Sequence, residues 1–408
     1  MASRPSEPES PYAWFRLAIS VLLSTIGGVG MWSVVVAMPA VQSEFGAARA
    51  GATLPFTLTM IGFAIGGVVV GRLVDRFRIT LPIIGGAVLL GAGYVLGAFS
   101  TSLWQFALAQ GLLIGVGTSA TFAPVIADVS LWFTKRRGIA VAIGACGNYF
   151  AGVVWPSVVQ HFVETDGWRY TYAGIGLFCA ATMVPLALLL RRSPPAAQAT
   201  PAATRPSARP GSIGLSPNAL MALLALAGVG CCVAMSMPQV HIVAYCGDLG
   251  YGVARGSEML SLMMACGIVS RVASGFIADR IGGLRTLLLG SVLQGVALVL
   301  YMGFDSLFSL YVISALFGLF QGGIVPSYAL IVREYFPASE AGTRVGVVIM
   351  ATLFGMALGG WMSGAIFDAT GSYRAAFANG VLFNALNLGV VLLLLARRGR
   401  PAGRLAAA

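Results

Sequence analysis

Gly71-Arg72-Leu73-Val74-Asp75-Arg76 closes the second long apolar run of this 408-residue chain, and Gly275-Phe276-Ile277-Ala278-Asp279-Arg280 closes the eighth, 204 residues later. Two further landmarks repeat at almost the same distance. Trp132-Phe133, ahead of run 5, returns as Tyr335-Phe336 ahead of run 11, and Trp168-Arg169 at the start of run 6 returns as Tyr373-Arg374 at the start of run 12, at offsets of 203 and 205. Three pairs that agree within two residues mark a duplicated unit of six runs. An even number of crossings per unit sends both copies into a membrane in the same direction. They are then parallel repeats about an axis along the membrane normal, able to rock about a central site.

That the runs cross a membrane follows from composition. At 58% hydrophobic and 10% charged residues, a chain of this length has too little polar surface for a soluble fold. A helical span needs about 20 apolar residues, and twelve stretches have that length: roughly 15–39, 51–71, 81–99, 103–127, 138–161, 171–190, 217–246, 258–278, 286–303, 307–332, 342–366 and 374–396. The expected fold is an all-α membrane protein, with twelve transmembrane helices in two parallel six-helix repeats. Six prolines among Ala, Ser, Arg205 and Arg209 between Ser193 and Pro217 cannot bury a core. The chain therefore divides into an N-terminal half 1–192, a cytoplasmic linker 193–216 and a C-terminal half 217–408. Its polar, acidic start before a first run of more than 20 residues reads as a retained span rather than a signal peptide.

A net charge of +11 would suggest nucleic acid in a soluble protein. With the N-terminus in the cytoplasm, however, cytoplasmic loops and tails hold 20 of the 25 Lys and Arg residues, and outer loops hold four: Arg49, Arg169, Arg255 and Arg374. This is the positive-inside rule with both termini cytoplasmic, and it needs no nucleic-acid partner. The remaining cation is Arg271, in the middle of the apolar stretch Met259–Ala278. About 12 Å of helix separates it from Asp279, too far to snorkel comfortably, and a cation at such depth costs about 2.5–3.5 kcal/mol even on the lenient insertion scale. Its planar fork suits a carboxylate that comes and goes. The plainer alternative is an arginine held by backbone carbonyls or a helix end.

Asp128 and Glu258 lie near span ends and are expected to face water, leaving spans 1 to 6 without an acid at depth. His241, about 10 Å inside the outer end of span 7, is the one side chain at depth suited to carrying a proton near neutral pH, or else a neutral histidine bonded to a neighbouring helix. Asn148 and Tyr149 interrupt run 5. In the repeated loops, Gly71 and Gly275 would let helices approach closely. Asp75 and Asp279, beside Arg76 and Arg280, could lock the cytoplasmic side by an ion pair or cap, unless they are ordinary topology charge. Gly27-Gly28-Val29-Gly30 and the glycines of 111–117 and 318–323, with Pro124 and Pro326, read as close packing and flexing of spans 1, 4 and 10. A phosphate loop would need a strand and a lysine. Cys146, Cys179, Cys231, Cys232, Cys246 and Cys266 lack metal-type spacing and read as small packing residues. No metal or cofactor is expected.

Both Gly-x-x-x-Asp-Arg loops resemble the cytoplasmic signature of the major facilitator superfamily, although Phe77 and Arg78 replace the usual Gly-Arg continuation. Trp132-Phe133-Thr134-Lys135-Arg136-Arg137-Gly138-Ile139-Ala140, Gly167-Trp168-Arg169 and Val240-His241-Ile242-Val243 are similar to its monocarboxylate transporter branch and the bacterial oxalate and formate exchangers. The resemblance implies that Arg271 is the substrate-binding arginine of span 8. It also implies aromatic pocket positions at Trp32, Phe122 and Gln321. There are departures. Gly267 and Ala40 stand where animal lactate carriers have an Asp and a Lys, and 345–367 holds no second basic residue of the kind the oxalate exchangers carry. A dianion is therefore disfavoured.

The expectation is a secondary carrier in a bacterial inner membrane, working as a monomer and moving a small monocarboxylate or similarly compact organic monoanion by alternating access, with protons or a counter-anion as coupling partner. The rivals are a proton-driven exporter of lipophilic compounds and an anion-binding membrane sensor that transports nothing. An intramembrane enzyme lacks a catalytic pair at depth.

Overall fold

The computed structural model describes residues 9–192 and 213–398, without the side chains of Asp75, Arg137, Ala338 and Ser339. Most of the linker expected at 193–216, and the C-terminal tail, lie outside the described residues. Among those described there is no strand, and twelve helices are long and apolar enough to cross a membrane: Pro11–Phe45, Arg49–Val74, Thr80–Ala98, Leu103–Trp132, Gly138–Asp166, Trp168–Leu189, Pro217–Asp248, Val253–Ile281, Gly283–Gly303, Leu307–Tyr335, Glu340–Thr370 and Tyr373–Arg397. These are spans 1 to 12.

Most spans outrun their apolar stretches because local chemistry, not hydropathy, stops a helix. Gly46 and Gly371 end spans 1 and 11 at φ 58° and 66°, in the left-handed conformation that glycine adopts without a Cβ penalty. Ser102 and Ser306, 204 residues apart, cap spans 4 and 10 by accepting from the backbone N–H groups of Gln105 and Ser309.

By contact density the chain forms two compact units, Met1–Ala202 with Val243–Ala265, and Ala203–Ile242 with Cys266–Ala408. In the first, spans 3 and 6 meet at Gly91 and Gly176. A Cβ on either would come within 2.8–3.1 Å of the other's carbonyl oxygen, so only glycine permits this approach. Tyr94, Phe106, Trp168 and Tyr172 form an aromatic cluster with ring centroids 5.1–5.7 Å apart, and the Tyr94 hydroxyl lies 2.6 Å from Ser33 Oγ. Arg169 then clamps the ends of spans 1 and 3, donating to the Glu44 carboxylate and to the Ala98 carbonyl. The second unit repeats this plan. Tyr301 stacks on Phe377 at 5.0 Å, Phe317 packs against it, and Arg374 lies 3.8 Å from Asp305, just past the end of span 9. The Trp-Arg and Tyr-Arg landmarks thus join the sixth span of each repeat to its third.

The structure departs from the sequence expectations at Asp128 and at Gly71 and Gly275. Asp128 does not face water. It is 6% exposed and accepts from Arg16, itself 1% exposed, through Nε at 2.7 Å and Nη2 at 2.9 Å. Arg16 Nη1 donates to the Leu190 carbonyl at 2.9 Å, and its guanidinium lies 4.6 Å from the centroid of the Trp132 ring. The first half therefore does bury an acid, near the end of span 4. The second correction concerns Gly71 and Gly275. A Cβ added at either meets nothing within 4 Å among the described residues, so these glycines are not sites of close helix approach.

Candidate functional site

Three broken helices meet in the first unit. Span 1 breaks at Gly28, span 4 at Ala120–Phe122 just beyond a wide π turn (Ala109–Gly115), and span 5 at Cys146. The breaks touch one another. A Cβ on Gly27 would lie 2.5 Å from the Thr121 side chain, and one on Gly28 would lie 2.6 Å from Ala151 Cβ and 3.3 Å from Asn148 Oδ1. Carbonyls near the interruptions are satisfied by short polar side chains. Ser24 Oγ donates to the Thr121 carbonyl, and Thr25 Oγ1 to the Gly147 carbonyl at 3.3 Å. Irregular backbone at membrane depth survives only where protein or cavity water covers it, and here protein does so.

Trp32, Phe122, Asn148 and Tyr149 gather at this junction. Trp32 is buried one turn beyond Gly28, and its indole Nε1 donates to the Asn148 carbonyl at 3.4 Å. Phe122 occupies the span 4 break and packs against Phe63 at 6.0 Å. Tyr149 is half-buried beside Asn148.

The second unit has a polar group of its own, built on one interruption. Span 10 breaks at Gly322–Gly323, 202 residues from the middle of the span 4 break. Span 8 presses into that gap. A Cβ on Gly322 would lie 2.8 Å from Ser270 Cβ and 3.0 Å from the Arg271 backbone nitrogen, and one on Gly323 would strike the Ser274 side chain. Arg271, half-buried on the unbroken helix Val253–Ile281, is therefore held at the break. Gln321, the last residue before the break, is buried and accepts from Gln239 Nε2 of span 7 at 2.8 Å. Arg271, Gln321 and Gln239 are thus neighbours around one discontinuity.

His241 does not join them. It is fully buried two residues along span 7, with Nε2 2.9 Å from the Gly360 carbonyl and its ring 5.8 Å from Tyr373. A carbonyl can only accept, so Nε2 carries the hydrogen. Asp279 and Arg280 are exposed, as is Arg76, which lies over the Phe77 ring; the Asp75 side chain lies outside the described residues. The six cysteines stand as thiols, five of them buried.

Sequence reasoning missed Gln239, whose signal was an amide two places from the histidine in an otherwise apolar run. It also missed the Arg16–Asp128 pair. By sequence Arg16 falls among the 20 cytoplasmic Lys and Arg residues, though it stands five residues inside the helix that begins at Pro11.

A sequence model described as Major Facilitator Superfamily matches residues 20–304 and 249–408. Monocarboxylate transporter 13 of Bos taurus is 28% identical over 406 residues, covering 97% of this chain and 92% of that protein. The agnestins efflux protein AgnL12 of Paecilomyces divaricatus is 26% identical over 327 residues, covering 80% and 73%. Among solved structures, a bacterial homologue of the human lysosomal transporter Spinster, in an inward-facing and occupied conformation, superposes with a TM-score of 0.75 at 16% identity, covering 97% of this chain and all of that one. Twelve spans in a duplicated plan, with broken helices in both units, agree with these matches: the chain belongs to the Major Facilitator Superfamily and is a transporter, not an enzyme.

Proposed function

We propose that this transporter moves a small monocarboxylate, or a similarly compact organic monoanion, by alternating access, with Arg271 binding the carboxylate. The observation that carries this reading is the seat of Arg271. It is a half-buried arginine about 12 Å along an unbroken helix from Asp279, at the one discontinuity of span 10 and beside the buried Gln239–Gln321 pair. The guanidinium fork matches a carboxylate, and neighbouring amides can orient the rest of a small polar solute. Likeness to monocarboxylate transporter 13 along nearly the whole chain supports the same substrate class. Trp32, Phe122, Asn148 and Tyr149 are proposed as further substrate-binding residues from their sequence positions and from their gathering at the span 1, 4 and 5 breaks.

An inside-negative potential opposes anion entry by about 2.3 kcal/mol per charge per 100 mV. Proton symport and anion exchange both remove that cost. His241 is the proposed proton carrier if symport operates, and Asp75 and Asp279 the proposed cytoplasmic gate residues. We place both termini in the cytoplasm of an inner membrane from the basic-loop asymmetry, divide the chain as 1–192, 193–216 and 217–408, and take the monomer as the working unit.

A second reading, export of lipophilic metabolites, is favoured by the likeness to the agnestins efflux protein. Against it, Asp128, the acid buried in the first half, is sealed by Arg16 rather than open to a proton path. Uptake of a labelled carboxylate panel into proteoliposomes under imposed pH and potential gradients tests both readings. Saturable monocarboxylate flux that vanishes in Arg271→Ala supports the first; efflux of apolar dyes with no carboxylate flux overturns it.

A further inference from the structure

The end of span 7, the following loop and the first half of span 8 form a hairpin, Val243–Ala265, that packs within the first compact unit. Three layers hold it there. At the rim, Arg49 Nη2 donates to Asp248 Oδ2 at 2.7 Å, the Arg49 side chain 8% exposed and that of Asp248 39%. One turn below, Met38, Ala52 and Ala244 form a buried apolar cluster. Deeper still, Met264 packs against Gly152 next to the Trp32 ring, with Ser157 Oγ and Ser261 Oγ 3.3 Å apart at the edge.

We infer that the Arg49–Asp248 pair is a latch that keeps this hairpin seated, and that the transporter opens on this face only when the pair breaks. The inference rests on the alternating-access reading given above. Position argues for it. Arg49 opens span 2 and Asp248 ends span 7, so the bond joins the two sequence repeats at the end of the spans remote from the basic Gly-x-x-x-Asp-Arg loops. A cavity lined by Pro39, Gln42, Arg49, Gly247, Asp248 and Val253 lies against the pair, so water can reach the carboxylate when the bond lengthens. The two partners are not equivalent. Neutralising Asp248 strips its carboxylate from a guanidinium side chain that is 8% exposed, whereas neutralising Arg49 leaves a carboxylate side chain that is 39% exposed. Loss of Asp248 should therefore unlatch the hairpin more than loss of Arg49.

The test uses the full chain in detergent with its native cysteines replaced and Ala244→Cys, under the latch, as reporter of maleimide labelling. Asp248→Asn should raise the labelling rate about tenfold, the equivalent of about 1.4 kcal/mol, and Arg49→Gln about threefold. Arg49→Lys should stay close to the parent, and the charge swap of Arg49→Asp with Asp248→Arg should return to within about twofold of it. Hydrogen exchange along Val243–Asp248, in protein that keeps its cysteines, should rise in the same order. Unchanged labelling and exchange in Asp248→Asn, or a charge swap no slower than either single variant, overturns the latch. Neither measurement involves substrate or membrane sidedness. A failed latch therefore leaves the monocarboxylate reading standing, and a failed uptake assay leaves the latch standing.

Discussion

Each compact unit holds an arginine inside a helix, and the two are treated in opposite ways. Arg16 of the first is 1% exposed, held by both oxygens of Asp128, by the Leu190 carbonyl and by the face of Trp132. Arg271 of the second is half-buried on a span with no acid between Met259 and Ala278, at a break in its neighbour. The same side chain thus serves as a fastener at Arg16, where its bonds are made inside the fold, and is proposed as a receptor at Arg271, where it is only half-buried. Burial alone does not rank them for function: on the proposed reading the more buried arginine is the one with less to do in transport.

The comparison is broken most directly by exchanging the consequences of mutation. Asp128→Asn removes one charge of a sealed pair and should destabilise the protein by about 3–5 kcal/mol, read as a lower unfolding midpoint in detergent. Replacing both partners together, Arg16→Met with Asp128→Leu, should recover much of that loss, because two apolar side chains need no charge solvation. Substrate binding per folded molecule should be unchanged in both. If Asp128→Asn keeps its midpoint but loses transport, the fastener is itself part of the pathway, and the exporter reading gains.

Arg271 should behave in reverse. Arg271→Lys keeps the charge and loses the bidentate fork, a loss of about 1.5–3 kcal/mol of binding, or about 10- to 150-fold in Kd. The unfolding midpoint should move little. Wild-type affinity in Arg271→Ala, measured by calorimetry or by protection from heat, would falsify the assignment.

The dianion count sharpens the same site. One arginine balances one carboxylate, so monocarboxylates should compete for uptake better than oxalate or succinate at pH 7. A lysine added on span 11 should reduce that preference several-fold, as expected when the second charge gains a partner. The structure chooses its position. Thr352 is 3% exposed and faces Gly228 of span 7, whereas Ala351 is only partly buried. Ala351→Lys is thus the tolerable change, and unaltered competition by oxalate in that variant would remove span 11 from the site.

How much of this was legible in the sequence divides along physical lines. The twelve spans were, because apolar length is a local property, and so was the duplication, because three landmark pairs kept their spacing. Arg271 stands out in the sequence for the same reason, as one charge in an apolar run, and its proposed role awaits the tests above. The Arg16–Asp128 bond was not legible: its partners are 112 residues apart, and hydropathy cannot tell a cation at the rim from one turned inward. The glycines misled in one place and not in another. Gly27, Gly28 and Gly322 do sit where helices touch, while Gly71 and Gly275 face open space, and sequence spacing carries no record of what lies opposite. Gln239 was passed over because a single amide in an apolar run gains its meaning only from Gln321, on a span that sequence does not place beside it.

The smallest expected effect lies just outside the membrane, where the first unit has a second, weaker fastener. Glu9 holds a left-handed φ of 57°, donates its backbone N–H to the Trp132 carbonyl at 3.0 Å, and accepts with Oε1 from the backbone N–H groups of Lys135 and Arg136 at 2.6 and 2.7 Å. Unlike Asp128, it is open to solvent. The Arg136 N–H, then that of Lys135, hold its carboxyl below the ordinary value of 4.5. A carboxylate whose pKa is lowered by folding contributes stability above its ordinary pKa and loses it as pH falls through the lowered one. The strap from Glu9 to the 135–136 loop should therefore be intact at pH 7 and release only as pH falls below the ordinary carboxylate value. Hydrogen exchange at the Lys135 and Arg136 amides across pH 3 to 7, corrected for intrinsic rate, should show that release. Glu9→Gln should show faster exchange already at pH 7, with an unfolding midpoint close to wild type. Equal protection in Glu9→Gln at pH 7 would mean that the loop is held by its own turn, and that the first unit has one fastener at this end, not two.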